Sequence, residues 1–268
     1  VDSLILNTAE RVDTLVKYVR KQFYSNNYGQ TIVVGEETLK LARKIDDKSA
    51  ILRVSSLMGN AFLQNYDTIQ AKRIFFRAIQ DAEKQKDTTR SLTTARIDLG
   101  NLYALQENYD LAIELYKEAI PIAAKLNDTT HLFILNFNIA DVSLEDEDIE
   151  TAEYYVARTN EYVQGVKADA YHAVAQINNT ELLYLQDKHE EAIPYLKESI
   201  RLATASGYTD ALIEAHEIGA KIYIALGDFE QATNHLVTAD ELNKDKYKTD
   251  KIRAVETITA KFKLDQYK

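Results

Sequence analysis

The chain has no cysteine, and that removes disulfide frameworks and thiol chemistry together. The same absence suits a bacterial cytosol and a periplasm equally. Only 2 prolines and 8 glycines occur in 268 residues, so the two residues that helices tolerate least are scarce. No run alternates β-branched with polar residues between turn clusters, which leaves nothing to read as strands. No apolar stretch approaches the twenty or so residues that span a bilayer. Positive charge is outnumbered, 32 Lys and Arg against 42 Asp and Glu, for a net charge of −10. A phosphate backbone would be repelled by such a chain, so nucleic acid is not an expected partner. The chain begins at Val1 rather than Met, and any leader or membrane anchor is therefore expected outside it.

What the sequence does have is a period. Thr31, Ala71, Ala112, Ala152, Ala192 and Ala232 follow one another at steps of 40, 41, 40, 40 and 40 residues. A fixed period of this length marks stacked supersecondary units, each unable to bury its apolar face alone. In the copy from Ala95 to Asn127, Ile97, Leu99, Leu102, Tyr103 and Leu105 recur at helical spacing. After the polar Gln106-Glu107-Asn108 hinge, a second helix carries Ala112, Ile113, Leu115, Tyr116, Ala119 and Ile120. Two helices on so short a connection pack antiparallel. Gly100 and Ala112 are small where the pair crosses, with Tyr103 and Tyr116 beside the crossing. Gly59, Phe62, Ala71, Phe75 and Ala78 repeat the pattern, as do Ala220, Tyr223, Ala232, Leu236 and Ala239.

Hinges are expected at Asn27-Tyr28, Asn65-Tyr66, Asn108-Tyr109, Asp148-Ile149, Lys188-His189 and Asp228-Phe229. The joints Lys86-Asp87-Thr88-Thr89 and Leu126-Asn127-Asp128-Thr129 supply Asp and Thr as N-caps. Pro121 and Pro194 fall inside second helices, and a local bend is expected at Pro121.

The repeated small-x-x-aromatic pattern resembles the tetratricopeptide repeat (TPR) family over roughly residues 10–243. Its period departs from the family's usual 34 residues. The resemblance implies an all-α fold, a right-handed α-α superhelix of about six helical hairpins over residues 1–243, followed by a C-terminal helix over 244–268. It also implies that the first helix of each hairpin lines a concave groove for a peptide or protein.

Counting in phase, the residue after each crossing position gives Arg20, Asn60, Asn101, Asp141, Glu181 and Lys221. Four residues earlier stand Val16, Ser56, Ile97, Phe137, Ile177 and Glu217. With Asn138 and Asn178 near the same wall and Arg53 a further candidate for a ligand carboxylate, the expected groove contacts are Arg20, Arg53, Asn60, Ile97, Asn101, Phe137, Asn138, Asp141, Ile177, Asn178 and Glu181. An asparagine both donates to and accepts from a peptide backbone.

Chemistry is not expected. No phosphate loop, dinucleotide fingerprint or nucleophile elbow occurs, and the five histidines have no metal-ligand spacing. The Glu145-Asp146-Glu147-Asp148 run lacks an EF-hand's glycine and reads as a solvated turn. No catalytic residue, metal or cofactor is assigned.

The tail from Asp240 carries a narrow apolar stripe, Ile252, Val255, Ile258 and Phe262, on a charged helix. Such a helix either caps the last repeat or pairs with a second copy as a short coiled coil. The A-D-E-L-N-K-D stretch and the K-I-R-A-V-E-T-I-T-A-K-F stretch after it look like the end of sensor regions in TPR-containing histidine kinases and TPR transcriptional regulators of Bacteroidetes. That likeness implies an extracytoplasmic (periplasmic) signal-input domain in a two-component system. A membrane span and output domain would then follow outside this chain. The competing expectation is a cytoplasmic TPR scaffold or peptide-receptor regulator.

Overall fold

A computed structural model describes residues 2–84 and 88–265, with side chains placed for residues 7–84, 88–252 and 255. Lys86 and Asp87 of one expected joint, and the side chains of Ile258 and Phe262, lie outside the described residues. The described residues are all helix and turn, with no strand among them. In chain order the helices are α1 (Asp2–Tyr24), α2 (Tyr28–Lys44), α3 (Lys48–Gln64), α4 (Thr68–Lys84), α5 (Arg90–Ala104), α6 (Tyr109–Lys125), α7 (Thr129–Glu145), α8 (Ile149–Val163), α9 (Asp169–Leu185), α10 (His189–Ser206), α11 (Thr209–Ala225) and α12 (Phe229–Asp265). They pair as six hairpins, with odd-numbered first helices and even-numbered second helices. The C-terminal helix expected over 244–268 is the continuation of α12, which passes residue 243 without a break.

The six turns inside the hairpins are built alike. Asn26, Tyr66, Glu107, Glu147, Asp187 and Gly227 adopt positive φ, between 57° and 78°, at the same 40- or 41-residue spacing as the alanines. The next residue in each case (Asn27, Asp67, Asn108, Asp148, Lys188, Asp228) donates its backbone N–H to the carbonyl five residues back, at 2.9 Å every time. A left-handed residue followed by that bond closes a helix by satisfying its last carbonyls. The donor then starts the following helix. Asp67, Asp148 and Asp228 accept at 3.1 Å from the backbone N–H of Gln70, Thr151 and Gln231. The hinge expected at Asn65-Tyr66 is therefore two residues early, because Asp67 is the in-phase cap. Asp47 and Asp128 cap α3 and α7 in the same way, accepting from Ala50 at 2.9 Å and His131 at 3.2 Å. Neither proline ends its helix: α6 continues through Pro121 and α10 through Pro194.

The periodic small residues are inside. Thr31, Ala71, Ala112, Ala152 and Ala192 have no exposed surface, and Ala232 has 3%. A Cβ added at Gly59 would lie 2.1 Å from the Phe75 ring, and one at Gly100 would lie 2.4 Å from the Tyr116 ring. Those two glycines thus make room for an aromatic ring from the partner helix, in addition to letting the helices approach. Phe75 and Tyr116 are fully buried, each worth roughly 1.5–3 kcal/mol of apolar burial. In the sixth hairpin the filling ring is His235, against Gly219, while Leu236 of the expected pattern is half exposed. The register there has moved by one residue.

Packing divides the chain into two compact units. One takes in the residues up to Ile122 with the end of α12 from Asp250; the other is Ala123–Thr249. The first unit's core holds Val12, Val19, Met58, Phe75 and Leu102. The second unit's core is built on Phe133, Ile177, Leu196 and Ile222, with a smaller cluster at Ala140, Ala152 and Val156.

Candidate functional site

First helices lie side by side within each unit, α1 on α3 and α3 on α5 in one, α7 on α9 and α9 on α11 in the other. In the first unit the residue after each crossing position looks outward but is already engaged. Arg20 is exposed and stacks 5.7 Å over the Tyr24 ring. Asn60, half-buried, spends both amide protons internally, on the Ser56 carbonyl at 3.1 Å and on Asp98 Oδ1 at 3.0 Å. Asn101 is exposed and accepts from the Tyr116 hydroxyl at 2.7 Å. Arg53 is exposed, with Nε donating to the Ser49 carbonyl at 3.3 Å.

Asp98 was not singled out by the sequence. It is buried between α3 and α5, where Ser56 Oγ and Asn60 Nδ2 donate to its two oxygens. Burial without a cation pushes its carboxyl up to about 6, and the two hydrogen bonds hold the rise back. Arg96, the other arginine near this wall, is paired internally with Glu83 at 2.9 Å and Glu118 at 3.4 Å.

Ile97, Ile177 and Asn178 are corrected by the structure. Ile97 keeps 7% of its surface exposed, Ile177 1% and Asn178 none, so these positions pack between neighbouring first helices and do not reach a groove. Val16 and Ser56, at the same phase four residues before the outward position, are buried too, whereas Glu217 at the end of that row is exposed. Phe137 of that row stays half-buried, stacked on Phe133 at 6.0 Å, and Asn138 is half-buried beside it. Asn178 Nδ2 donates to the Phe137 carbonyl at 3.4 Å, while its buried Oδ1 has no hydrogen-bond partner.

The second unit's wall is different in kind. Asp141 on α7 and Glu181 on α9 occupy the same phase, as the count predicts, and both are half-buried. The structure brings to them Glu145, one turn along α7, together with Glu214 and Glu217 from α11. Asp141 is raised by burial first, then by Glu145 and Glu181. Glu214 is raised well above the carboxylate range by burial, then by Asp141, Glu181, Glu145 and Glu217. Glu181 rises through burial, is held back by Lys221, and is pushed up again by Glu145. Like charges drawn from three helices into partly desolvated positions favour the protonated forms. Glu145 escaped notice because it was read with the acidic turn, although it stands four residues after Asp141. Among the described residues no three His, Asp or Glu side chains are arranged to hold a metal ion.

The family model of the MalT-like TPR region matches residues 21–267, so the match includes the tail beyond the last hinge. No curated protein matches the chain in sequence. Solved structures do. Apo RapI superposes with a TM-score of 0.73 at 14% identity, over 89% of this chain and 85% of that one. Aspartyl phosphate phosphatase F from Bacillus subtilis gives 0.72 at 19%, over 87% and 60%. A Rap protein complexed with competence and sporulation factor gives 0.65 at 14%, over 90% and 80%. Identities this low speak for the fold, which is a TPR-like α-solenoid. With the repeat, the hairpins and a family match over most of its length agreeing, the chain belongs to the MalT-like TPR family.

Proposed function

We propose that this TPR-type interaction domain grips a peptide or protein segment along its first helices, and that the segment carries a basic group opposite Asp141, Glu181 and Glu214. The observation that carries the reading is the second unit's wall. Five carboxyl groups from α7, α9 and α11 influence one another there, and the Lys221 ammonium holds Glu181 back. A lysine, arginine or terminal amine of a ligand would relieve that crowding, and Asn138 is at hand to fix backbone. A Rap protein of the same fold is complexed with competence and sporulation factor, which supports a ligand-holding role for such arrays. The test is a peptide array probed with the whole chain. Lysine- and arginine-bearing peptides should be enriched, and Glu181→Gln with Glu214→Gln should abolish the enrichment. Equal capture of acidic peptides by both proteins would sink the reading.

The finer proposal is signal input. α12 runs from the sixth hairpin to Asp265 as one helix, so occupancy of the α11 wall has a continuous element through which to reach the end of the chain. Together with the tail's resemblance to sensor regions, this favours an extracytoplasmic input domain over a cytoplasmic scaffold. Ile252 and Val255 are exposed on α12, which supports pairing with a second copy through the tail. Removing residues 245–268 should leave peptide capture intact while silencing the parent receptor. If that receptor still responds, the tail is a cap.

A further inference from the structure

Away from the first-helix wall, the second helices of the first unit hold a cavity of about 180 Å³ between α2 and α4. Three arginines line it, Arg43 from α2 and Arg73 with Arg77 from α4, against a single acid, Glu36. Arg73 and Arg77 stand four residues apart on one helix face, where like charges repel. Among the described residues, none of the three closes an ion pair. Arg43 is held below the usual guanidinium range, by burial first and then by Arg77, with Asp81 opposing. Glu36 lines the cavity and Asp81 acts on Arg43, yet among the described residues neither closes an ion pair with the three arginines, whose side chains are exposed at the cavity mouth.

The rest of the lining is mostly apolar. Leu39, Met58 and Phe62 are buried and Ile74 half-buried, while Ser55 and Gln70 supply hydrogen-bonding groups. Gly35 makes room for Met58, whose sulfur would lie 2.4 Å from an added Cβ. The cavity is smaller than the roughly 300–1,000 Å³ of a cofactor or drug-sized site. It suits one side-chain-sized group.

We propose that this cavity is a binding site for a phosphate ester on an aromatic or apolar stem, the phosphate facing Arg43, Arg73 and Arg77 and the stem lying on Met58, Phe62 and Leu39. Three arginines against Glu36 in the lining and Asp81 beside Arg43 leave the cleft net positive, and guanidinium groups from two helices can bracket the oxygens of one phosphate. Guanidinium groups bind phosphate through paired, charge-assisted hydrogen bonds. The site is independent of the first-helix wall, and either can fail without the other.

The shared chemistry, an aryl phosphate, has two sources: a free metabolite, or a phosphorylated tyrosine side chain of a partner. Calorimetry on the whole chain at low salt, with phenyl phosphate, inorganic phosphate, phenylacetate and a short phosphotyrosine peptide, separates them. Phenyl phosphate should bind at least about tenfold more tightly than inorganic phosphate or phenylacetate. The double variant Arg73→Gln, Arg77→Gln should weaken it by about tenfold or more with an unchanged thermal melt. A phosphopeptide that binds at least as well as phenyl phosphate assigns a protein partner; one that is excluded assigns a free ester. Should the variant melt early, Arg43→Gln gives the same readout from the other helix. No binding up to about 10 mM, binding indifferent to the arginines, or a preference for phenylacetate overturns the proposal.

Discussion

The two units use the same hairpin and charge it differently. In the first, crossings pair glycine with a ring, Gly59 with Phe75 and Gly100 with Tyr116, and polar residues of the wall are consumed by one another. In the second, Ala140 packs with Val156 in one small cluster, only the last crossing again sets a glycine, Gly219, against a ring, His235, and the wall is crowded with carboxyl groups. Unbalanced positive charge sits in the first unit at Arg43, Arg73 and Arg77; unbalanced negative charge sits in the second at Asp141, Glu181 and Glu214. A repeat needs only its small residues and its turn to stack, which leaves the outward positions open to carry opposite charge in neighbouring copies.

Four measurements would break or sharpen that contrast. Gly100→Leu should cost roughly 3 kcal/mol in urea melts, since the buried Tyr116 ring has nowhere to retreat. A neutral result would mean that the ring does not fill the crossing. Asp98→Asn should alter the pH profile next. A carboxyl raised from 3.8 to about 6 contributes no penalty below its unfolded value, and stability then falls as pH rises through about 6. The variant should therefore gain on the wild type by roughly 2–3 kcal/mol between pH 4 and pH 8. A difference that stays flat over that range contradicts an uncompensated buried carboxyl.

Glu214→Gln should stabilise by on the order of 1 kcal/mol at pH 8, through loss of a like charge, and the gain should fade on acidification. A loss at pH 8 would show that Glu214 is paired after all. The smallest effect is expected from Tyr116→Phe, about 1 kcal/mol or less, for the hydrogen bond to Asn101. A double-mutant cycle with Asn101→Ala isolates the pair, and a coupling of zero would mean that the bond is idle.

Much of this was legible in the chain. A step of 40 residues located all six buried small positions, and the polar hinges found five of six turns in phase. Asn65-Tyr66 misled because the actual cap, Asp67, is followed by Thr rather than the apolar residue seen in most copies. The site was legible only in part. Counting gave Asp141 and Glu181 as equivalent, but a one-dimensional count cannot say which flank of a helix its neighbour covers. Ile97 and Ile177 were therefore placed outward and are inside. Glu214 comes to Asp141 only through the lateral packing of α7, α9 and α11, and no spacing encodes that. The arginine cavity was invisible for the same reason: Arg43 reaches Arg73 and Arg77 across a hairpin boundary.

The left-handed residue in each turn has a mechanical meaning. In five of the six hairpins it is Asn, Tyr, Glu or Asp rather than glycine, in a conformation that disfavours side chains by roughly 1–2 kcal/mol. Glycine there would be more comfortable but would also swivel, because it visits many conformations with similar ease. A Cβ at these elbows narrows the alternatives, so a push on one helix of a pair is handed to its mate instead of being lost in the bend.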